Sequence, residues 1–135
     1  LIVIGAFLFL LLEFDNGETI GKMDALQKIQ ASLFQSITPR TAGFNTVPMD
    51  QLRPATILLM MILMFIGASP GSAGGGIKTT TFAIIILTVV AVVQGKKDVE
   101  IENRRVSWEL INKSFVILVL SILYILSASF IIMVY

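Results

Sequence analysis

The residues with the clearest chemical meaning in this sequence are Thr41, Ala42, Gly43, Phe44 and Asn45. They belong to a polar stretch that is flanked by apolar runs, and irregular backbone at membrane depth is tolerated only where it is buried in protein or lines a water-filled path. Gly43 lets the backbone point successive carbonyl oxygens at one cation, where they can replace the water shell of the ion. The segment therefore predicts part of a cation filter. An ordinary turn between two helices is the alternative interpretation.

A second motif, GASPGSAGGGIK at residues 67–78, is rich in glycine and interrupts an apolar run. Its candidate gating residues are Gly67, Ser69, Gly71, Gly74, Gly75, Gly76 and Lys78. The motif differs from the phosphate-binding P-loop, because Ile77 separates the last glycine from the lysine and no predicted strand precedes it. We interpret it as a flexible break within one spanning helix that lies across an ion path, with a positive charge at its end. A helix–helix contact or a tight turn between two re-entrant halves is the alternative.

The composition excludes several other classes of function. The chain has 56% hydrophobic and 14% charged residues and a mean hydropathy of +0.88, whereas soluble domains carry about 25% charged residues. Without cysteine or histidine it has no disulfide, no thiolate metal site and no neutral-pH histidine base. A net charge of +1 is too small to favour a nucleic-acid partner. The composition thus predicts an all-α membrane protein that is not an enzyme.

The first half of the chain holds the elements that would position the filter. Residues 1–12 are predicted to be the end of a truncated transmembrane helix, and residues 13–23, which include Glu13, a solvated extracellular loop. Apolar residues at three- and four-residue spacing then predict a short amphipathic helix over residues 24–38, with Asp24 as its cap. This helix is too short to span comfortably and suits a re-entrant pore helix, whose carbonyl end favours a cation. Residues 39–53 follow it as the irregular segment that contains the filter.

The second half is predicted to cross the membrane twice. Residues 54–94 read as a transmembrane helix broken by the loop at 67–78, and residues 114–135 read as a full-length final span. Residues 95–113 hold five lysines and arginines, whereas the longer polar stretch 13–53 holds four, so the positive-inside rule places residues 95–113 in the cytoplasm. The fold class predicted is therefore helix–pore loop–helix with a glycine-broken second helix.

Together the two motifs, SITPRTAGFNTV and LMFIGASPGSAGGGIKTTT, resemble the Trk/Ktr/HKT superfamily of potassium transporters. Subunits of that superfamily contain four repeats of helix, pore loop and helix. The chain is similar to the third repeat plus the first helix of the fourth. The resemblance implies that residues 41–45 form one quarter of a selectivity filter, which binds K+ at backbone carbonyls near Gly43, and that residues 67–78 form the gating loop.

The same resemblance implies the transported ion and the partners. It implies K+ uptake across the plasma membrane, with Na+ as the other candidate ion and no bound cofactor. The expected partners are the remaining repeats of the parent chain, a second subunit in a homodimer, membrane lipid and a cytosolic nucleotide-binding ring. The basic stretch from Lys96 to Arg105 would contact that ring, or would simply be a solvated linker. The alternative function is a secondary transporter that binds a small solute at its broken helix.

Overall fold

Helices account for most of the regular structure in the computed structural model, which describes residues 1–95, 99–101 and 104–134. They are α1 (Ile2–Glu13), α2 (Ala25–Ile37), α3 (Pro54–Phe65), α4 (Thr79–Val93) and α5 (Trp108–Val134). A 3-10 turn, Met49–Gln51, precedes α3. The short strands β1 (Glu100–Ile101) and β2 (Arg104–Arg105) pair antiparallel. Apart from this hairpin, the described part of the chain has the all-α character that the sequence predicts.

The chain divides into two compact units, Leu1–Gly76 and Ile77–Tyr135. In the first unit, α1 packs against α2 and α3 around a core whose buried residues come from helices and loops alike. The core residues are Phe9, Ile20, Ala31, Val47, Leu52 and Met60. Gly5 permits the close approach, because a Cβ there would overlap the Ser36 hydroxyl and lie 3.1 Å from the Leu63 side chain. The Ser36 hydroxyl also donates to the Ile2 carbonyl at 2.8 Å.

The second unit contains the longest apolar helix. Its small core joins Ala91, Val99 and Ile111, and the Val106 N–H donates to the Val99 carbonyl at 2.8 Å beside the hairpin. Among the described residues, α5 is the one helix that is long and apolar enough to cross a membrane. Shorter apolar helices are α1, α3 and α4. Most of the apolar side chains of α5 are exposed, which suits contact with lipid or with other transmembrane helices.

Two details differ from the sequence-based expectations. Glu13 does not lie in a solvated loop: it is the last residue of α1 and is fully buried. Helix α5 begins at Trp108 and not at Ser114, so the last residues of the predicted cytoplasmic loop are helical, and Lys113 pairs with Glu109 at 2.6 Å one turn away. Of the basic stretch predicted to contact a partner, residues 96–98 and 102–103 lie outside the described residues, as does Tyr135.

Candidate ion-filter site

Helix α2 ends in a series of backbone turns that lead directly into the predicted filter segment. The Thr38 N–H still donates to the Phe34 carbonyl at 2.9 Å, but Pro39 has no N–H to continue the helix. The Arg40 N–H instead bonds the Ile37 carbonyl at 3.0 Å. The Ala42 N–H then bonds the Thr38 carbonyl at 3.2 Å. The segment is thereby attached to the carbonyl end of α2, where the helix dipole is negative.

The backbone of the segment takes a conformation that few sequences allow. Thr41 has φ of 71° and Gly43 has φ of 75°, while Ala42 between them is not in the left-handed region. A positive φ is ordinary for glycine but strained for a β-branched residue such as threonine. A Cβ on Gly43 would meet nothing within 4 Å. Gly43 is therefore required by its dihedral angle and not by lack of space.

The remaining filter residues differ in their surroundings. Phe44 is 71% exposed, and its carbonyl accepts a hydrogen bond of 2.7 Å from the Thr38 hydroxyl. Asn45 lines a cavity of about 430 Å³ together with Thr38, Thr41 and Gly43. The predicted filter residues are thus neighbours in one exposed segment, most of it bordering a cavity. The sequence pattern did not single out Thr38, whose only signal was its place at the predicted end of the helix.

The glycine-rich loop is compact, because several of its glycines touch other backbone atoms. A Cβ on Gly67 would overlap the Gly75 carbonyl oxygen. One on Gly76, which has φ of 78°, would come within 2.6 Å of the Met64 carbonyl oxygen, and one on Gly74 would lie 2.5 Å from the Ala68 side chain. These positions exclude any side chain. From the sequence, we interpret these glycines as a source of flexibility in the loop. In the structure, they allow the backbone of the loop to pack closely.

The middle of the loop is a turn of a different kind. The Ser72 N–H donates to the Ser69 carbonyl at 3.2 Å, and the Ser72 hydroxyl donates to the same carbonyl at 2.6 Å. Pro70 and Gly71, with φ of 80° at the glycine, occupy the two central positions that a type II turn assigns to these residue types. A Cβ on Gly71 would meet nothing within 4 Å. Ser69 and Gly71 therefore shape the exposed tip of the loop.

The two predicted motifs meet in the first unit. The Gly75 N–H donates to the Thr41 hydroxyl at 3.0 Å, although the two residues are 34 positions apart in sequence. Gly75 and Gly76 also line the cavity that Thr41, Gly43 and Asn45 border. Lys78, the seventh candidate of the glycine-rich motif, is the N-cap of α4 and belongs to the second unit. The structure thus joins the filter segment to the glycine loop around one cavity.

The buried carboxylate of Glu13 binds the N-terminal end of α3, the end that lies away from the glycine loop in sequence. One oxygen of Glu13 accepts from the N–H of Arg53, the N-cap of α3, at 2.9 Å and from the hydroxyl of Thr56 in the first turn of that helix. The other accepts from the Asn16 amide at 2.6 Å and the Thr19 hydroxyl at 2.7 Å. The carboxylate thereby satisfies the N–H of Arg53, one of the backbone donors that the start of a helix leaves unpaired. Glu13 therefore fixes the start of α3, which lies between the filter segment and the glycine loop in the sequence.

The described residues contain no group of three or more His, Cys, Asp or Glu side chains that could hold a metal ion. The residues with polar side chains that line the cavity are Thr38, Thr41 and Asn45. Backbone carbonyls are the ligands of a filter that removes the water of a monovalent cation, whereas carboxylates are needed to hold a divalent ion tightly.

Curated proteins of similar sequence are potassium uptake proteins. Ktr system potassium uptake protein B of Vibrio alginolyticus is 39% identical over 133 residues, which cover 98% of this chain and 29% of that protein. The protein of the same name in Bacillus subtilis is 37% identical over 112 residues, or 83% of this chain and 25% of the relative. Potassium/sodium uptake protein NtpJ of Enterococcus hirae is 33% identical over 67 residues, or 50% of this chain and 15% of the relative. The chain thus spans less than a third of the length of these relatives.

A family model provides the broadest comparison. The model described as "TrkH: Cation transport protein" matches residues 1–135, the whole of the chain. The match covers both motifs and every described helix. It confirms the resemblance to the Trk/Ktr superfamily and the prediction of a transport protein instead of an enzyme. The chain belongs to the TrkH family of cation transport proteins.

Proposed function

We propose that this chain supplies one helix–pore loop–helix repeat of a plasma-membrane potassium transporter whose pore is built from four such repeats. Residues 41–45 contribute one quarter of the selectivity filter, and residues 67–78 form the gating loop. The transported ion is K+. The observation that carries the proposal is the hydrogen bond between Thr41 and Gly75 beside a cavity that both motifs line.

The filter role is supported by the dipole of α2 and by the backbone that follows it. The carbonyl end of α2 precedes Thr41 directly and favours a positive charge. Positive φ angles at Thr41 and Gly43 break both helical and extended geometry, so that carbonyl groups are free of regular secondary structure. Ion selectivity in such filters depends on the size of the site and on the number and field strength of the carbonyl ligands.

The gating role is supported by the position and packing of the loop. Helix α3 is about 18 Å long and therefore too short to cross a bilayer by itself. Its backbone becomes irregular at the glycine loop, and non-helical backbone at membrane depth must line a cavity or lie inside protein. In the proposal, α3 and α4 are the two halves of one broken span, and the loop between them obstructs the ion path below the filter.

The partners in the proposal follow from the family and from the length of the relatives. Three further repeats, from the parts of the relatives that this chain does not match, would complete the ring of carbonyls. A Ktr system implies a membrane subunit that works with a regulatory subunit, and we assign that partner to the cytoplasmic side, where residues 95–113 lie in the proposed topology. A homodimer of pore subunits completes the assembly.

The filter assignment is tested by Gly43→Ser in the intact transporter. Serine at φ of 75° is strained, so the backbone should shift and the preference for K+ over Na+ should fall by about tenfold or more. Uptake of both ions is measured in cells that lack other potassium uptake systems. Gly17→Ser is the matched control, because a Cβ at Gly17 would make only an ordinary 3.6 Å contact with Lys22.

Unchanged selectivity in a well-expressed Gly43→Ser protein would remove the filter assignment. Two further measurements separate the alternatives. Competition of an organic solute with ion uptake would favour a secondary transporter with a solute site at the broken helix. Equal uptake of K+ and Na+ by the unaltered protein would instead indicate potassium/sodium uptake, as in the name of the Enterococcus hirae relative.

A further inference from the structure

The hydroxyl of Thr38 makes a side-chain hydrogen bond to a carbonyl of the predicted filter. It donates to the Phe44 carbonyl at 2.7 Å, spanning six positions of the sequence. Thr38 is the residue that follows the last residue of α2, and only 9% of its surface is exposed. A largely buried hydroxyl on a helix end is well placed to hold a neighbouring peptide group, because the helix limits its own movement.

Thr38 also holds the segment at a second point. Its backbone carbonyl accepts the Ala42 N–H at 3.2 Å, while its hydroxyl holds the Phe44 carbonyl. Both ends of the Ala42–Phe44 stretch are therefore attached to one residue. Gly43 lies between the two attachment points, has a positive φ and has open space around the position of a Cβ. Gly43 has no side chain that could fix this conformation, and the two hydrogen bonds of Thr38 restrain the chain on either side of it.

We infer that Thr38 is a positioning residue for ion selectivity, which sets the orientation of the Phe44 peptide and through it the conformation of Gly43. The inference rests on the proposed filter function of residues 41–45. Without the hydroxyl, the Phe44 carbonyl loses its partner and can rotate, which changes the direction of the carbonyls around Gly43. A filter whose carbonyls change direction coordinates Na+ and K+ with less difference between them.

The inference is tested with Thr38→Val in the intact transporter, because valine keeps the branched shape and removes the hydroxyl. The loss of one hydrogen bond should lower the ratio of K+ to Na+ uptake by about two- to tenfold. Thr38→Ser, which keeps the hydroxyl, should retain the original ratio. Membrane protein level and melting temperature are measured for each variant, so that selectivity is compared between folded proteins.

Thr88→Val is the matched control. Thr88 is 8% exposed, and its hydroxyl donates to the Ile84 carbonyl at 2.7 Å within α4. Its substitution therefore removes a hydroxyl of similar burial and bond length, away from the filter segment in sequence, and should leave the ratio unchanged. If Thr38→Val does not accumulate in the membrane, Thr38→Ala and Thr38→Ser replace it as a pair of small residues that differ in the hydroxyl.

The outcomes separate this inference from the proposed function. Lower selectivity in Thr38→Val, with Thr38→Ser and Thr88→Val unchanged, supports the inference. An unchanged ratio in Thr38→Val, together with an altered ratio in Gly43→Ser, overturns it and leaves the filter in place. An equal loss in Thr38→Ser and Thr38→Val also overturns it, because the hydroxyl would then be irrelevant. If the ratio is unchanged in both Thr38→Val and Gly43→Ser, the filter assignment itself is wrong.

Discussion

The filter segment, residues 41–45, and the glycine loop, residues 67–78, are both irregular, but glycine serves opposite purposes in them. In the filter segment, Gly43 has a positive φ and open space beyond it. In the glycine loop, Gly67 lies so close to Gly75 that no side chain fits. The first region depends on a dihedral angle that hydrogen bonds maintain, and the second depends on backbone contact. Substitutions should therefore alter selectivity in the first region and folding in the second.

The largest effect is expected for Gly67→Ala. The new methyl group would overlap the Gly75 carbonyl oxygen, and because a backbone atom cannot rotate away, the loop must open. We expect the free energy of unfolding to fall by about 3 kcal/mol or more. Thermal unfolding of the purified protein in detergent measures this. Gly71→Ala is the control, since its open position and φ of 80° should cost only about 1–2 kcal/mol. Equal melting temperatures for the two variants would contradict the packed loop.

An intermediate effect is expected for Glu13→Gln, which perturbs the helix that joins the two regions. The amide cannot accept all four hydrogen bonds that the carboxylate accepts, so the start of α3 and the loop after α1 lose partners. The expected loss of stability is about 1–3 kcal/mol, read from the same melting experiment. Glu18→Gln makes the identical change at an exposed residue and should cost less than about 0.5 kcal/mol. Comparable losses at both positions would refute the anchoring role.

The smallest effect on stability is expected for Thr41→Val, which removes the hydrogen bond between the two regions. The contact is exposed, so its loss should cost about 1 kcal/mol. In the proposed mechanism the freed loop moves more easily, and K+ flux should rise by about two- to tenfold. Ion uptake by intact cells measures the change, with Thr46→Val as the control at another exposed threonine of the same stretch. A normal flux in a folded Thr41→Val protein would show that the two regions act independently.

Local sequence features predicted the helices well because their signals are local. The apolar spacing after Asp24 identified α2, and the apolar runs that follow Pro54 and Lys78 identified α3 and α4. The start of α5 at Trp108 was missed, because Glu109 and Lys113 looked like loop residues although they form a helical ion pair. Charge alone does not distinguish a solvated helix turn from a loop.

The sequence predicted the two motifs of the candidate site separately, but it did not predict the contact between them. Thr41 and Gly75 are 34 residues apart, and nothing in either motif indicates a hydrogen bond to the other. The burial of Glu13 was missed for the same reason, since its partners Arg53 and Thr56 lie 40 and 43 positions away. Long-range polar contacts depend on how helices pack, and packing is set by many weak contacts at once.

The sequence by itself determined that this chain is a membrane protein, where its apolar helices lie and which glycines interrupt them. Those features follow from composition and spacing, which act over one or two helical turns. Only the tertiary structure decided that Gly43 is required for its dihedral angle and Gly67 for close contact, that Glu13 is buried, and that Thr38 holds the Phe44 carbonyl. The physical reason is that a dihedral angle or a buried hydrogen bond depends on atoms brought together by packing.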